Sequence, residues 1–558
     1  MNTFRKYLLL LILIAGTAVS NGQNKNNFEI SKNLDVFATL FKELNTNYVD
    51  EIRAGELMNV GIDAMLEHLD PYTVFIPESE VEDYKFMTTG QYGGIGAIIH
   101  KQDEYVVISE PYEGKPAHQA GLLAGDRIIE VDGKSVVGRN TSDVSAILKG
   151  QPGTSVNVTV ERDGETFTRE ITREYVKIEN IPYHSVMEGN IGYIKLSGFT
   201  QNAGNEVKQA LNELKQEQEL EGVILDLRSN GGGLLHEAVN TTNIFVDKGQ
   251  LVVSTRGKLP TKNKSYKTPE APVDTEIPLV VLVDTASASA SEIVAGAVQD
   301  LDRGVVLGQR TFGKGLVQNV IPLSYNSQAK ITVAKYYIPS GRCIQAIDYS
   351  HKDYNGQSEK TPDSLYTAFK TLNGRTVYDK GGIEPDIVVK PRRLHEISIA
   401  LMSNHLIFDF TTEFVKQNPE IEAPGSFEVT PAIWNDFLNY ISGKDYKYTT
   451  STEEALTELK AAAKEDRIDD PLADQITMLE NEIASLKSRD LEKYEEEIKM
   501  LLKFEIISRY YFQKGKIIAS LDDDPELEKA LEILNDHSRY LAIIGNGPSG
   551  SGEQKTDQ

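Results

Sequence analysis

Leu279-Val280-Val281-Leu282-Val283-Asp284-Thr285-Ala286-Ser287-Ala288-Ser289-Ala290-Ser291-Glu292 joins a short apolar run to a string of small residues, after which Ile293, Val294, Ala297 and Val298 recur at helical spacing. Five consecutive apolar residues rich in valine read as a buried strand, so Ser289 falls at a strand-to-helix corner. Such a corner aims the hydroxyl out of the fold. It also puts the Ala290 N–H at a helix N-terminus, where unpaired donors and the helix dipole favour a developing oxyanion.

After one helix and one strand comes Thr311-Phe312-Gly313-Lys314-Gly315-Leu316-Val317-Gln318. A lysine serves as a general base only when neutral, so its ordinary pKa of about 10.4 must fall to near 7, mostly through burial. Phe312, Leu316 and Val317 supply an apolar setting, Gly313 and Gly315 allow close backbone approach, and the run contains no acid. Gln318 offers a neutral amide that can orient the amine. Taken alone, the Ser/Ala run could be a tightly packed helix start and Phe-Gly-Lys-Gly a plain turn. Together, after a strand, they point to nucleophilic catalysis.

These motifs resemble those of the C-terminal processing (tail-specific) peptidases, a serine protease family with a Ser/Lys dyad. The resemblance covers most of residues 30–393. It implies Ser289 as nucleophile, Lys314, 25 residues later, as base, and Gln318 as the third member. Asp284 stands where the family more often has Asn. The resemblance also implies a multidomain α/β protein whose protease core has the crotonase-like (ClpP/crotonase) fold.

A second glycine-rich corner, Leu225-Asp226-Leu227-Arg228-Ser229-Asn230-Gly231-Gly232-Gly233, follows another apolar strand. Glycines let main chain approach a substrate carbonyl and adopt positive φ. By resemblance Gly232 supplies the second oxyanion donor beside Ala290. The family's usual Asn-Pro-Gly-Gly has a third glycine here, which leaves Gly233 as the other choice. The corner lacks the Gly-Lys-Ser/Thr ending of a phosphate loop. His236, on the following helix, is the one histidine close in sequence to either loop, and a single helical histidine is more often packed or solvated than catalytic. No His/Cys/Asp/Glu spacing suits a metal, and no cofactor is expected.

Tyr92-Gly93-Gly94-Ile95-Gly96-Ala97-Ile98-Ile99 reads as a glycine loop entering a strand. With Pro116-Ala117-His118-Gln119-Ala120-Gly121-Leu122 and Gly125-Asp126-Arg127-Ile128-Ile129, it makes residues 88–175 resemble a PDZ domain. The resemblance implies that Gly93, Gly94, Ile95 and Gly96 present backbone N–H groups to a peptide's terminal carboxylate. A strand beginning at Ile95 would pair with that peptide. The glycines also suit an ordinary hairpin turn. The expected partners are proteins or peptides with apolar C-termini.

Met1 to Lys6 is basic, Tyr7 to Ala15 apolar, and Ala18-Val19-Ser20 a small-residue cleavage signal, so residues 1–22 read as a signal peptide and the mature chain as exported to a periplasm or cell envelope. An uncleaved segment would instead tether it to the membrane. Cys343 is the chain's single cysteine and excludes an internal disulfide. The formal charge of −25 argues against nucleic acid as a partner.

The expected order is a helical cap over 23–87, the PDZ domain, a protease core over 176–393, a helical extension over 394–545 and a disordered tail over 546–558. In the cap, Leu34, Phe37, Leu40, Phe41 and Leu44 share one face, for which core packing is the simplest reading. In the extension, Ile476, Leu479, Ile483, Leu486, Leu491 and Tyr494 form an irregular seam between Leu472 and Leu502. Such helices suit a homodimer or a docked adaptor. Two other readings are a PDZ scaffold with a silent protease fold and a non-proteolytic crotonase-like hydrolase. The intact Ser/Lys pair speaks against the first, and the PDZ unit with no cofactor signature against the second.

Overall fold

The computed structural model describes residues 27–352 and 358–545; the expected signal peptide and polar tail lie outside them. Residues up to Phe75, with Val320–Ile331, form one compact unit, and Ile76–Asn319 with Thr332 onward form the other. The first unit contains helices α1 (27–47) and α2 (Ala54–Glu67). The amphipathic face is there, yet Leu34, Phe37, Leu40, Leu44, Leu57 and Val60 are all exposed, and α2 buries no residue. The stripe expected to pack on a core is uncovered in the single chain.

The second unit opens with α3 (Val81–Thr89) and β1 (Gln91–Gly94), followed by β2 (Ala97–Gln102), β3 (Tyr105–Pro111), α4 (Pro116–Gln119), β4 (Arg127–Val131), α5 (Thr141–Leu148), β5 (Ser155–Arg162), β6 (Glu165–Thr172) and β7 (Glu174–Lys177). Strands β2-β3-β4-β5-β6 make an antiparallel sheet in that order, with β2 at its edge, and β1 pairs with β7 to close the module's two ends together. Val106, Ile108, Ile128, Val158 and Val160 fill its core beneath Val144 and Leu148 of α5.

The central sheet runs β8 (Tyr183–Met187), β9 (Ile191–Lys195), β10 (Gly222–Asp226), β11 (Leu279–Val283), β12 (Val305–Gly308) and, after β13 (Gln328–Tyr337), the short β14 (Ile387–Val388). All neighbours in it are parallel except β8 with β9. The side-chain period of two sorts each strand's residues onto two faces. Leu225, Val281 and Val306 meet helices α6 (Ala203–Glu217), α7 (Leu235–Asn243) and α8 (Ala290–Asp300). Ile224, Val280, Leu282 and Leu307 point the other way. With both faces covered, the strands are apolar throughout, which explains the unbroken Leu279–Val283 run.

The extension begins with α9 (Glu396–Ser403), α10 (Leu406–Gln417) and α11 (Pro431–Ile441). A hairpin of α12 (Ser451–Glu465) and α13 (Asp469–Lys487), the turn α14 (Asp490–Lys493) and the long α15 (Glu495–Ser520) follow. Leu401, Phe410, Trp434, Phe437, Leu502 and Ile506 form a separate core there. The seam read over 472–502 is broken at 488–494, and Leu479 and Leu486 on it are exposed. Its irregular spacing never builds a continuous buried stripe. The final helices, α16 (Pro525–Asn535) and α17 (His537–Ile544), return to the central sheet. Their Leu527, Ala530, Ile533, Leu534 and Tyr540 cover its second face.

Candidate active site

Strand β11 delivers Asp284 and then Ser289, the N-cap of the wholly buried helix α8. Ser289 has φ 57° and ψ −108° and remains partly exposed. A left-handed backbone at a residue other than glycine costs about 1–3 kcal/mol and persists only where surrounding bonds over-determine it. Those bonds are present. Asp284 accepts the N–H groups of Ala286 and Ser287 at 3.0 and 2.9 Å, and the same carboxylate accepts the Ser229 N–H at 2.9 Å, so it joins the serine loop to the glycine corner.

Asn230, fully buried, organises that corner. Its Nδ2 donates to the Leu196 carbonyl at 2.7 Å, and its own carbonyl accepts the Ala288 N–H at 3.0 Å and the Ser291 hydroxyl at 2.8 Å. Gly232 has φ +98°, and a Cβ there would lie 2.6 Å from the Ala288 carbonyl and 2.9 Å from both Ala290 N and Ser289 Cβ. The structure thus brings Gly232, Ser289 and Ala290 together. The Gly232 N–H donates to Asn230 Oδ1 at 2.9 Å. Gly233 is held by neighbouring bonds, Phe199 N–H to Gly232 O at 3.1 Å and Leu234 N–H to Phe199 O at 2.8 Å. Neither uses its N–H.

Lys314 comes to the same place through Glu292, which is fully buried on the first turn of α8. Glu292 Oε2 accepts the Ser289 N–H at 2.7 Å and the Lys314 N–H at 2.9 Å. Its Oε1 accepts the Thr311 hydroxyl at 2.6 Å and the Gly313 N–H at 2.7 Å. Burial pushes this carboxyl up to about 7 even though these four donors pull it down. Tyr336, 1% exposed at the end of β13, works from the carbonyl side. Its hydroxyl lies 3.1 Å from Ser289 O and bonds Lys314 O.

Lys314 is partly buried, while Phe312, expected to help desolvate it, is 46% exposed. Gln318 stands on the next strand with its Nε2 donating to Thr332 Oγ1 at 3.1 Å, so this amide is oriented by threonine. His236 is largely exposed beside Glu237.

Sequence reasoning assigned no role to Glu292, Asn230 or Tyr336. A Glu three residues after an N-cap serine is a capping-box signal, and it could have singled out Glu292. Nothing local marks the Tyr336 hydroxyl.

In the small N-terminal module, Gly93 and Gly94 lie in β1 paired with Tyr175 and Glu174 of β7. Ile95 is buried in the module's core, with its carbonyl accepting the Ala117 N–H at 2.7 Å. Gly96, at φ +73°, turns the chain into β2, whose outer edge is unpaired within the sheet. The strand begins at Ala97, two residues later than expected.

The model for peptidase family S41 matches residues 190–351, that for a PDZ domain residues 107–162, and one described as "Probable PDZ-protease, C-terminal helical domain" residues 397–534. A carboxy-terminal-processing protease of Bartonella bacilliformis is 33% identical over 346 residues, 61% of this chain and 78% of that relative. The chain belongs to this family. It is a C-terminal processing peptidase of the serine type, with a PDZ domain. A probable CtpA-like serine protease of Staphylococcus epidermidis is 29% identical over 81% of this chain and 91% of its own length. Among solved structures, a photosystem II D1 C-terminal processing protease is 29% identical, covering 64% of this chain and 94% of its own, with a TM-score of 0.35. Among the described residues no helix is long and apolar enough to cross a membrane.

Proposed function

We propose that this peptidase is an exported endopeptidase that captures unfolded proteins by an apolar C-terminus and cuts them with a Ser289/Lys314 dyad in a crotonase-like core. Ser289 Oγ attacks the scissile carbonyl as its proton passes to the Lys314 amine. The tetrahedral oxyanion is received by the Ala290 N–H and by one N–H of the glycine corner. Collapse transfers the proton to the leaving amine, and water activated by Lys314 then hydrolyses the acyl-enzyme.

The anchoring of both the Ser289 and Lys314 backbones on Glu292 Oε2 is the observation that carries this reading. For the glycine donor, Gly233 has the freer N–H, whereas Gly232 must first release Asn230 Oδ1. Gln318 orients the amine once substrate draws it from Thr332. In the PDZ module, the unpaired edge of β2 receives the tail and the Gly93–Gly96 segment, from the end of β1 into β2, its carboxylate. The basic-then-apolar N-terminus supports export.

An unfolded reporter with either an apolar or a charged C-terminus tests the proposal. The mature chain should cut the apolar-tailed form faster, and both Ser289→Ala and Lys314→Ala should abolish cutting. Cleavage that survives Ser289→Ala would overturn the dyad, and equal rates on the two tails would overturn the tail filter.

A further inference from the structure

Tyr336 is buried among the apolar side chains that pack α8 on the sheet, and its N–H donates to the Gly315 carbonyl at 2.9 Å, so strand β13 is already tied to the lysine loop through its backbone. The hydroxyl makes a second tie. It reaches past the ring to the carbonyls of Ser289 and Lys314. The single phenolic proton is shared between these two carbonyls, and the Ser289 carbonyl also accepts the Ile293 N–H at 3.0 Å.

The Ser289 carbonyl and the Ala290 N–H belong to one planar trans peptide, in which they point in opposite directions. Fixing the carbonyl therefore fixes the direction of the N–H on the other side. The Lys314 carbonyl likewise shares a peptide with the Gly315 N–H, which donates to Gln345 Oε1 at 2.7 Å. One phenol thus holds the peptide that carries the oxyanion donor against the peptide that follows the base. We propose that Tyr336 is a positioning residue for the peptidase reaction, whose hydroxyl aims the Ala290 N–H at the oxyanion and sets the separation of the Ser289 and Lys314 loops. This rests on the Ser289/Lys314 reading above. A group acting in this way aligns donors that engage only the tetrahedral state, so its loss lowers kcat and leaves KM unchanged.

The test compares the full-length chain with Tyr336→Phe, Tyr337→Phe and Ser289→Ala, using steady-state cleavage of a fluorogenic unfolded peptide, inhibition by a peptide aldehyde, and the melting temperature. Ser289→Ala should be inactive; activity in it sinks the dyad reading itself and leaves nothing for Tyr336 to position. With Ser289→Ala inactive, Tyr336→Phe should lose roughly tenfold or more in kcat, with KM unchanged and aldehyde binding weakened by a similar factor. Tyr337→Phe, altered at the neighbouring ring, should match wild type. Wild-type kcat and aldehyde affinity in Tyr336→Phe would overturn the inference. Should that variant melt early, 3-fluorotyrosine at 336 decides, because it keeps the shape but has a more acidic hydroxyl. The altered donor strength must change kcat and aldehyde affinity with KM unchanged, and wild-type values of both overturn the assignment.

Discussion

Ser289 and Lys314 donate their backbone N–H groups to one oxygen, Oε2 of Glu292, at 2.7 and 2.9 Å. Residues that lie 25 positions apart in the chain are thereby given a common origin, inside the fold and away from water. All four acceptor sites of the carboxylate are taken, which suits the anion and leaves no room for an amide. Glu292→Gln turns an NH2 group toward N–H donors. The expected result is a fall in kcat/KM on the order of 100-fold with a lower melting temperature, measured on a peptide substrate and by calorimetry.

The same carboxyl gives opposite pH signs for stability and activity. Its folded value, about 7, lies above its ordinary value of 4.5, so between those limits the folded state holds a proton that the unfolded state has released. This contribution is complete below about pH 4.5 and is lost as pH rises through 7; it is worth up to about 3 kcal/mol in urea unfolding. Activity should instead rise through pH 7 as the anion completes its bonds. Comparing wild type with Glu292→Gln at pH 5 and pH 8 isolates the group, since the variant should lack this part of the stability slope.

The strand-to-helix corner at Ser289 and the alternation of the core were legible because a doubly covered parallel sheet writes unbroken apolar runs, and small residues leave few other ways to start a helix beneath them. The reach of Glu292 and Tyr336 was not, because it depends on where two loops meet in space. The covering of Ile224, Val280 and Leu282 by Leu527, Ile533 and Leu534 was hidden for the same reason. An amphipathic helix names its apolar face but not the surface that face will meet. In α1 and α2 the converse holds, because the face is legible and stays exposed.

Gly232 tests the proposed oxyanion corner through the main chain. At φ +98° an alanine is strained, and its methyl would press on Ala288 O, Ala290 N and Ser289 Cβ. Gly232→Ala should lose about 100-fold or more in kcat while the protein still folds. Gly231→Ala, where a Cβ meets nothing within 4 Å, is the control and should cut at a near wild-type rate.

Arg228 links this corner to the last helices. Its guanidinium pairs with Asp226 at 2.7 Å and with Asp524 at 2.6 Å, and Asp524 also caps α16 by accepting the Glu526 and Leu527 N–H groups at 3.0 Å. Asp524→Ala removes a cap and one of the three carboxylates paired with Arg228, which should cost about 2–4 kcal/mol in urea unfolding. Deleting residues 525–545 should do worse, leaving Val280, Leu282 and Leu307 bare and the product aggregated in size-exclusion chromatography.

His100 of β2 packs between the PDZ module and the helical extension, with its ring 4.7 Å from His405 and 4.9 Å from Phe408. Burial lowers its pKa from 6.5 to about 4, and the nearby His405 and Arg509 add to the effect against a hydrogen bond that the ring donates to Gln102. Asp409 accepts from Gln102 at 3.0 Å, and Glu110, raised by burial, accepts from Gln513 at 2.6 Å across the same contact. The unfolded chain protonates this histidine first, so its contribution is present above pH 6.5 and is lost as pH falls toward 4. Allowing for solvent, lowering the pH from 7 to 5 should cost roughly 1 kcal/mol through this group. His100→Gln should show a correspondingly smaller loss between those two pH values in urea unfolding, and an equal loss would place the acid sensitivity elsewhere in the contact.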